Sequence, residues 1–208
     1  MIINSLIKGS GGAPAGKYQL LQRIKDDSNN EIGTVCGFHK DSNNTEYAVV
    51  CLDAQYRLYG GAFLSAEQKV TGLPLYNGPI VWEQTESATS SCDKVIAYLT
   101  SQGLTSASVS HCRSKSFVIN GITYYGQLPI LREIMLIMNH LTAIKTADPT
   151  ASLDPNLNFP NRIILSCSQY STQYIWGVTN ESGQGGAGWS GKTVSSRFVC
   201  PILELPNA

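Results

Sequence analysis

From Leu131 onward the apolar residues Leu131, Ile134, Met135, Met138 and Leu141 fall at i, i+3, i+4, i+7 and i+10, the period of one buried helical face. Pro129 suits the first turn, where its missing N–H has no intrahelical partner, and Glu133 lies early enough to favour the positive end of the helix dipole. Arg132 falls on the opposite face. After Pro155 the period changes. Arg162–Leu165, Tyr174–Val178 and Phe198–Leu203 are short apolar or aromatic runs broken by Ser, Asn and Gly, which predicts strands joined by long loops.

The first part of the chain reads as strands throughout. Tyr18–Ile24, Ile32–Phe38 and Tyr47–Leu52 carry β-branched and aromatic residues, and the Asp/Ser/Asn clusters at 26–30 and 41–44 between them are turn compositions, so a β-meander is expected. Gly72-Leu73-Pro74 and Asn77-Gly78-Pro79 flank an extended connector that includes Ile80-Val81-Trp82. A Ser/Thr loop over 85–91 can cap a helix carrying Val95, Ile96 and Leu99, with Gly103 as its stop. Phe117–Tyr125 holds Asn120-Gly121 between two apolar runs, a hairpin signal because both turn residues must take positive φ.

The order of these segments resembles a known family. A first helix around Cys92–Gln102, then Gly126-Gln127-Leu128-Pro129 with Glu133, then Ser166-Cys167-Ser168-Gln169-Tyr170 before Trp176, and finally Arg197–Ile202 are similar to the C-type-lectin-like domains of the DUF1566 and Fibrobacter-paralogous-domain kind, found in bacterial surface proteins and phage fibres. The resemblance covers roughly the last 120 residues, a single-domain span. Gly126-Gln127 stands where the family often has an aromatic-Arg pair, and Cys200 where a second Arg is expected. The expected architecture is α+β, with an attachment peptide over 1–16 and a β-rich stem over 17–85. A C-type-lectin-like domain with two helices and long loops would fill 86–208.

Composition narrows the function classes. With 42% hydrophobic and 14% charged residues the chain is globular, and 15 Lys+Arg against 15 Asp+Glu leave no field to attract nucleic acid or an anionic membrane. Met1–Ile7 is too short an apolar run for a signal peptide, and no segment approaches the ~20 apolar residues of a membrane helix, so folding in a cytosol is expected. Six evenly spread cysteines without a CxxC pair then read as buried free thiols. Only His111 and Cys112 are close in sequence as metal donors, and Glu-Pro-Asn or Trp-Asn-Asp calcium motifs do not occur, so neither a metal nor a cofactor is expected. Cys112 with His111, or Cys167 with His140, gives no triad logic, and no catalytic residue is assigned.

One motif points elsewhere. Gly186–Thr193 satisfies the phosphate-loop pattern GxxxxGKS/T letter for letter, and Gly183–Gly188 spells GxGxxG. Phosphate binding needs a helix directly after Lys192-Thr193, and Val194–Pro201 is strand-like and ended by proline, so a loop between strands is expected instead. A nucleotide-binding enzyme remains the alternative of a different class.

The candidate ligand-binding residues are therefore Tyr170, Gln173, Tyr174, Asn180 and Trp189, of the types that binding loops use for adaptable contact. Trp176 reads as core, and Trp189, among glycines, as exposed. The expected function is a non-enzymatic bacteriophage virion protein, a tail or head fibre or decoration subunit. Residues 1–16 would dock on other virion proteins, a homotrimer is favoured, and the head would bind a host-surface glycan or protein. A bacterial surface adhesin is the alternative within binding proteins.

Overall fold

The computed structural model describes residues 16–76, 86–152, 163–179 and 186–207. The attachment peptide, Asn77–Trp82 and Asn180 thus lie outside the described residues, apart from Gly16. The protein is α+β. The expected meander is present as β1 (Arg23–Lys25), β2 (Glu31–Lys40) and β3 (Glu46–Leu52), an antiparallel run whose turns place Asn29 and Asn44 at φ 66° and 62°. Side-chain amides tolerate that left-handed region better than branched residues do, which is why Asn recurs there.

β3 does not end its sheet. Its other edge is taken by β11 (Ile202–Pro206), in register from Ile202 opposite Cys51 to Pro206 opposite Tyr47, giving the order β1-β2-β3-β11. A second sheet has the order β4-β10-β7-β8-β9, built from β4 (Leu58–Tyr59), β7 (Ile163–Gln169), β8 (Tyr174–Thr179), β9 (Gly186–Gly191) and β10 (Phe198–Val199). Within it β10 pairs antiparallel with β4 and parallel with β7. The expected division into a stem over 17–85 and a head over 86–208 gives way here, because strands from both sides of residue 85 hydrogen-bond within each sheet. Turn-forming residues mark where the chain reverses; they carry no information about which distant strand completes a sheet.

Among the described residues there are four α-helices rather than two: α1 (Ala88–Gln102), α2 (Ala107–Arg113), α3 (Leu131–Asn139) and α4 (Leu141–Ala147). Ser87 caps α1 by accepting from the Ser90 N–H, and Gly103 ends it at φ 62°. The short α2 was not anticipated, since seven residues rich in Ser, His and Cys show no apolar period; Ser106 caps it by accepting from the Val109 N–H at 3.1 Å. The hairpin of β5 (Ser116–Ile119) and β6 (Ile122–Tyr125) forms as read, with Asn120 and Gly121 at φ 52° and 76°.

α3 is the central layer. On one side Ile130, Leu131, Ile134 and Ile137 meet Cys36, Val49, Cys51 and Ile202 of the first sheet, and on the other they meet Ile164, Trp176, Val178 and Phe198 of the second. The outer face of the first sheet, Val35, Val50, Leu52, Leu203 and Leu205, is covered by Phe117 and Ile119 of the hairpin. Leu165, Cys167, Ile175 and Val199 of the second sheet are covered by α1 and α2. Both sheets are therefore buried on two faces, which accounts for apolar runs such as Ala48–Leu52 without polar alternation.

That sandwiching shifts the buried face of α3. Ile137 is fully buried and Met135 and Met138 only partly so, whereas the period singled out the methionines. Glu133, expected early in the helix as a partner of its dipole, is fully buried. The helix also breaks at His140, whose N–H donates to Ile137 O at 3.1 Å, so Leu141 opens α4 instead of continuing α3. Ile134→Ala and Ile137→Ala should each cost about 2–5 kcal/mol in urea unfolding, and Met138→Ala clearly less. A methionine loss equal to the isoleucine losses would contradict the assigned layers.

Candidate functional site

Three of the five sequence-selected residues meet at the edge of the second sheet. β8 and β9 pair so that Trp176 lies opposite Trp189, and Tyr174 shares their face two residues along the strand. Trp176 turns into the core and its indole N–H donates to Tyr76 O at 2.7 Å. Trp189 sits on the outermost strand of the sheet, with no further strand beside it among the described residues, and 53% of it is exposed. The Tyr170 ring stands edge-on to Trp176 at 5.2 Å and parallel to Trp189 at 6.3 Å, and Tyr174 meets Trp189 edge-on at 4.5 Å. The buried end of this stack holds the exposed end rigid, and an aromatic surface that does not have to be ordered on contact is what a binding platform needs.

Gln173 lies on the rim. Its carbonyl accepts from the Lys192 N–H at 2.9 Å and its side chain donates to Glu67 at 3.3 Å, leaving a polar margin beside the rings.

The phosphate-loop letters fall on β9 and the turn after it. Residues 186–191 are a strand rather than the expected loop, and no helix follows Lys192. The Lys192 side chain is fully buried and points inward, donating to Gln68 O at 2.8 Å and Gln169 Oε1 at 2.5 Å. Gln169 Oε1 also accepts from the Val70 N–H at 2.8 Å, and its amide nitrogen donates to Val70 O and Leu73 O. Lys192 thus ties the irregular 68–73 segment to β7. Burial lowers its pKa to about 7. A lysine so enclosed cannot reach a phosphate, and the nucleotide reading loses its key residue.

The thiols are inert by the same logic. All six cysteines are free and buried, and burial holds Cys36, Cys51 and Cys112 well above the ordinary thiol pKa. His111 Nε2 lies 2.7 Å from Tyr56 O, engaged with backbone rather than with its neighbour Cys112.

A cluster that the sequence did not disclose lies between the first sheet and α3. His39 Nδ1 is 3.1 Å from Glu133 Oε1, and His39 Nε2 is 3.2 Å from Glu204 Oε1, with side-chain exposures of 1%, 0% and 1% for His39, Glu133 and Glu204. The contacts are short but bent, since neither ring nitrogen nor Glu133 Oε1 makes a well-directed hydrogen bond, so charge attraction carries them. Glu133 Oε2 accepts from the Ile130 N–H at 2.9 Å, and Glu204 accepts from the Ala88 and Thr89 N–H groups and the Thr89 hydroxyl at the start of α1. Donor atoms of the three residues lie within 4.8 Å of one another, a spacing a cation could use. A metal ion needs a deprotonated ring nitrogen, however, and the carboxyl groups against both nitrogens keep the His39 ring protonated. The arrangement fits a protonated imidazole held between two carboxyl groups better than a chelate.

Burial alone would lower the His39 pKa, but the two carboxylates outweigh it and raise it to about 9. Burial, then the charge of Glu204, raises Glu133 to about 8. Burial would raise Glu204 too, but His39, Glu133 and Thr89 beside it prevail and lower it to about 2. Glu204 is therefore the ionised member near neutrality, and His39 and Glu133 each keep a proton. The local signals were a charge inside the Ile130–Ile137 stripe and another inside the apolar run Ile202–Leu205; nothing in the sequence linked them to His39.

Comparisons with protein-family models, with curated proteins and with solved structures find no match to this chain.

The cluster predicts a pH dependence. His39 holds in the fold a proton that the unfolded chain releases above its ordinary pKa of 6.5, so its contribution is full below pH 6.5 and is lost as pH rises through about 9. Glu133 acts in the same direction between 4.5 and about 8. Glu204 acts oppositely: its contribution is present above 4.5 and lost as pH falls through about 2. Lys192, with a folded pKa of about 7 against 10.5, gains stability with rising pH over that interval and must be cancelled by comparison. In urea titrations the stability advantage of wild type over His39→Gln should shrink from pH 6.5 to 9. An advantage that is constant or grows would refute the charged assignment.

Proposed function

We propose that this chain is a non-enzymatic bacteriophage virion protein, a tail or head fibre or decoration subunit, whose lectin-like part binds a host-surface receptor through the aromatic edge formed by Tyr170, Tyr174 and Trp189. The observation that carries the binding reading is the exposed Trp189, braced by two tyrosines on an edge strand with Gln173 and Glu67 at its margin. A flat apolar ring bordered by hydrogen-bonding groups suits the alternating C–H and hydroxyl faces of a sugar, so a glycan is the receptor class it favours, and a protein epitope the lesser one. The resemblance of residues 86–208 to lectin-like domains of phage fibres and bacterial surface proteins supports the virion setting. So does the balanced charge, which leaves no long-range pull toward nucleic acid. Residues 1–16 serve in this reading as the peptide that docks the subunit, as a trimer, on other virion proteins.

A glycan array probed with the full chain tests the binding face. Trp189→Ala should weaken the strongest signals about tenfold or more, as loss of a central aromatic anchor does. Tyr59→Ala, on β4 at the other edge of the same sheet, should leave them unchanged. Equal binding by wild type and Trp189→Ala would overturn the assignment.

A further inference from the structure

A groove of about 530 Å³ opens beside the start of α1, walled by β6 of the hairpin and by the ends of β3 and β11. Its size is that of a small-molecule cleft, ~300–1,000 Å³. None of its residues belongs to the aromatic edge described above.

The charges along the groove are already matched. Arg113 pairs with Asp93 at 2.5 Å, and Lys94 pairs with Glu86. Glu204, at the floor, is spent on the Ala88 and Thr89 N–H groups. The positive end of α1, which would otherwise attract a phosphate or carboxylate, is thus occupied by the protein's own carboxylate. An anionic ligand would have to displace an internal ion pair, and a cationic one likewise.

What remains is uncharged. Tyr125, 51% exposed, offers an aromatic wall, and Tyr124 lines the groove beside it. Gln127 is 3% exposed; its amide nitrogen donates to Tyr125 O at 2.9 Å while Oε1 has no partner among the described residues. Arg113 also lines the groove, and its Nε is buried without a hydrogen-bond partner among the described residues. An acceptor and a donor are therefore left unpaired on two residues that line the groove, and buried polar atoms left so are rare in folded proteins. A hydroxyl gives and takes a hydrogen bond at once, and a ring with hydroxyls on its edge and C–H groups on its face can meet both the polar atoms and the tyrosine.

We propose that this groove is a second ligand site, specific for a neutral oligosaccharide, with Tyr125 as the stacking wall and Gln127 and Arg113 turning slightly to bond its hydroxyls. The site stands independently of the aromatic edge.

The test is an NMR titration of the isotope-labelled full chain with neutral trisaccharides of glucose, mannose, galactose and N-acetylglucosamine, each beside a uronate or sulfated counterpart. At least one neutral sugar should shift the Gln127 side-chain amide and the backbone amides of Thr89, Ser90 and Tyr125 saturably at millimolar concentration. Tyr125→Ala, an exposed change that spares the core, should weaken that binding about three- to tenfold. Trp189→Ala should leave the shifts intact, even where it abolishes signals on the array. No shift from any neutral sugar, tighter binding of the acidic counterparts, unchanged affinity in Tyr125→Ala, or loss of the shifts in Trp189→Ala would each overturn the proposal.

Discussion

An imidazolium ring with a carboxyl group against each edge, all three side chains at 1% exposure or less, joins four separate parts of this chain: β2 through His39, α3 through Glu133, β11 through Glu204, and α1 through the N–H groups that Glu204 receives. Ions removed from water this completely cost several kcal/mol each unless they are matched, and removing one partner of such a set typically costs about 3–5 kcal/mol. The match here is by charge rather than by ideal hydrogen-bond direction, because the contacts are bent. What the cluster contributes is register. Glu204 alternates with Leu203 and Leu205, so a slip of β11 by one residue would send the carboxylate into the apolar layer under the hairpin and a leucine against His39.

The other ions of the interior work in the same manner. Arg23 grips Asp53 at 2.6 Å and Arg57 lies 3.3 Å from Asp148, fixing the 3₁₀ turn Ala54–Tyr56 between the first sheet and the end of α4. The Asp148 carboxylate also accepts from the Ala54 N–H at 2.7 Å. Together with Lys192 in its cradle of Gln68 and Gln169, these contacts hold segments that lack regular structure of their own. They leave the aromatic edge free of any structural task beyond the packing of Trp176.

Local features were legible in the residues. Asn120-Gly121 fixed the hairpin, Gly103 marked the end of α1, though the helix begins at Ala88 within the Ser/Thr stretch expected as a loop, and the strand-like run after Thr193 told against a phosphate loop. The gathering of Tyr170, Tyr174 and Trp189 followed from strand alternation once β8 and β9 paired. Features set by long-range pairing were not legible. That β11 completes the first sheet, that α3 is covered on both sides, and that Glu133 is interior all depend on elements distant in the sequence meeting, which no periodicity encodes. The choice of Met135 and Met138 over Ile137 shows the limit: a period identifies an apolar stripe, while the number of layers around it decides how wide that stripe must be.

The protonation state of His39 is the most direct measure of whether a buried ionic clamp sets this architecture. Ring nitrogen chemical shifts report it without perturbing the chain. In the folded protein at about pH 8 the His39 ring should still carry both protons, its pKa lying near 9 rather than 6.5, while His111, whose pKa burial lowers, should be neutral. A neutral His39 tautomer at about pH 7 would contradict the account, since the buried Glu204 carboxylate would then have no cation against it.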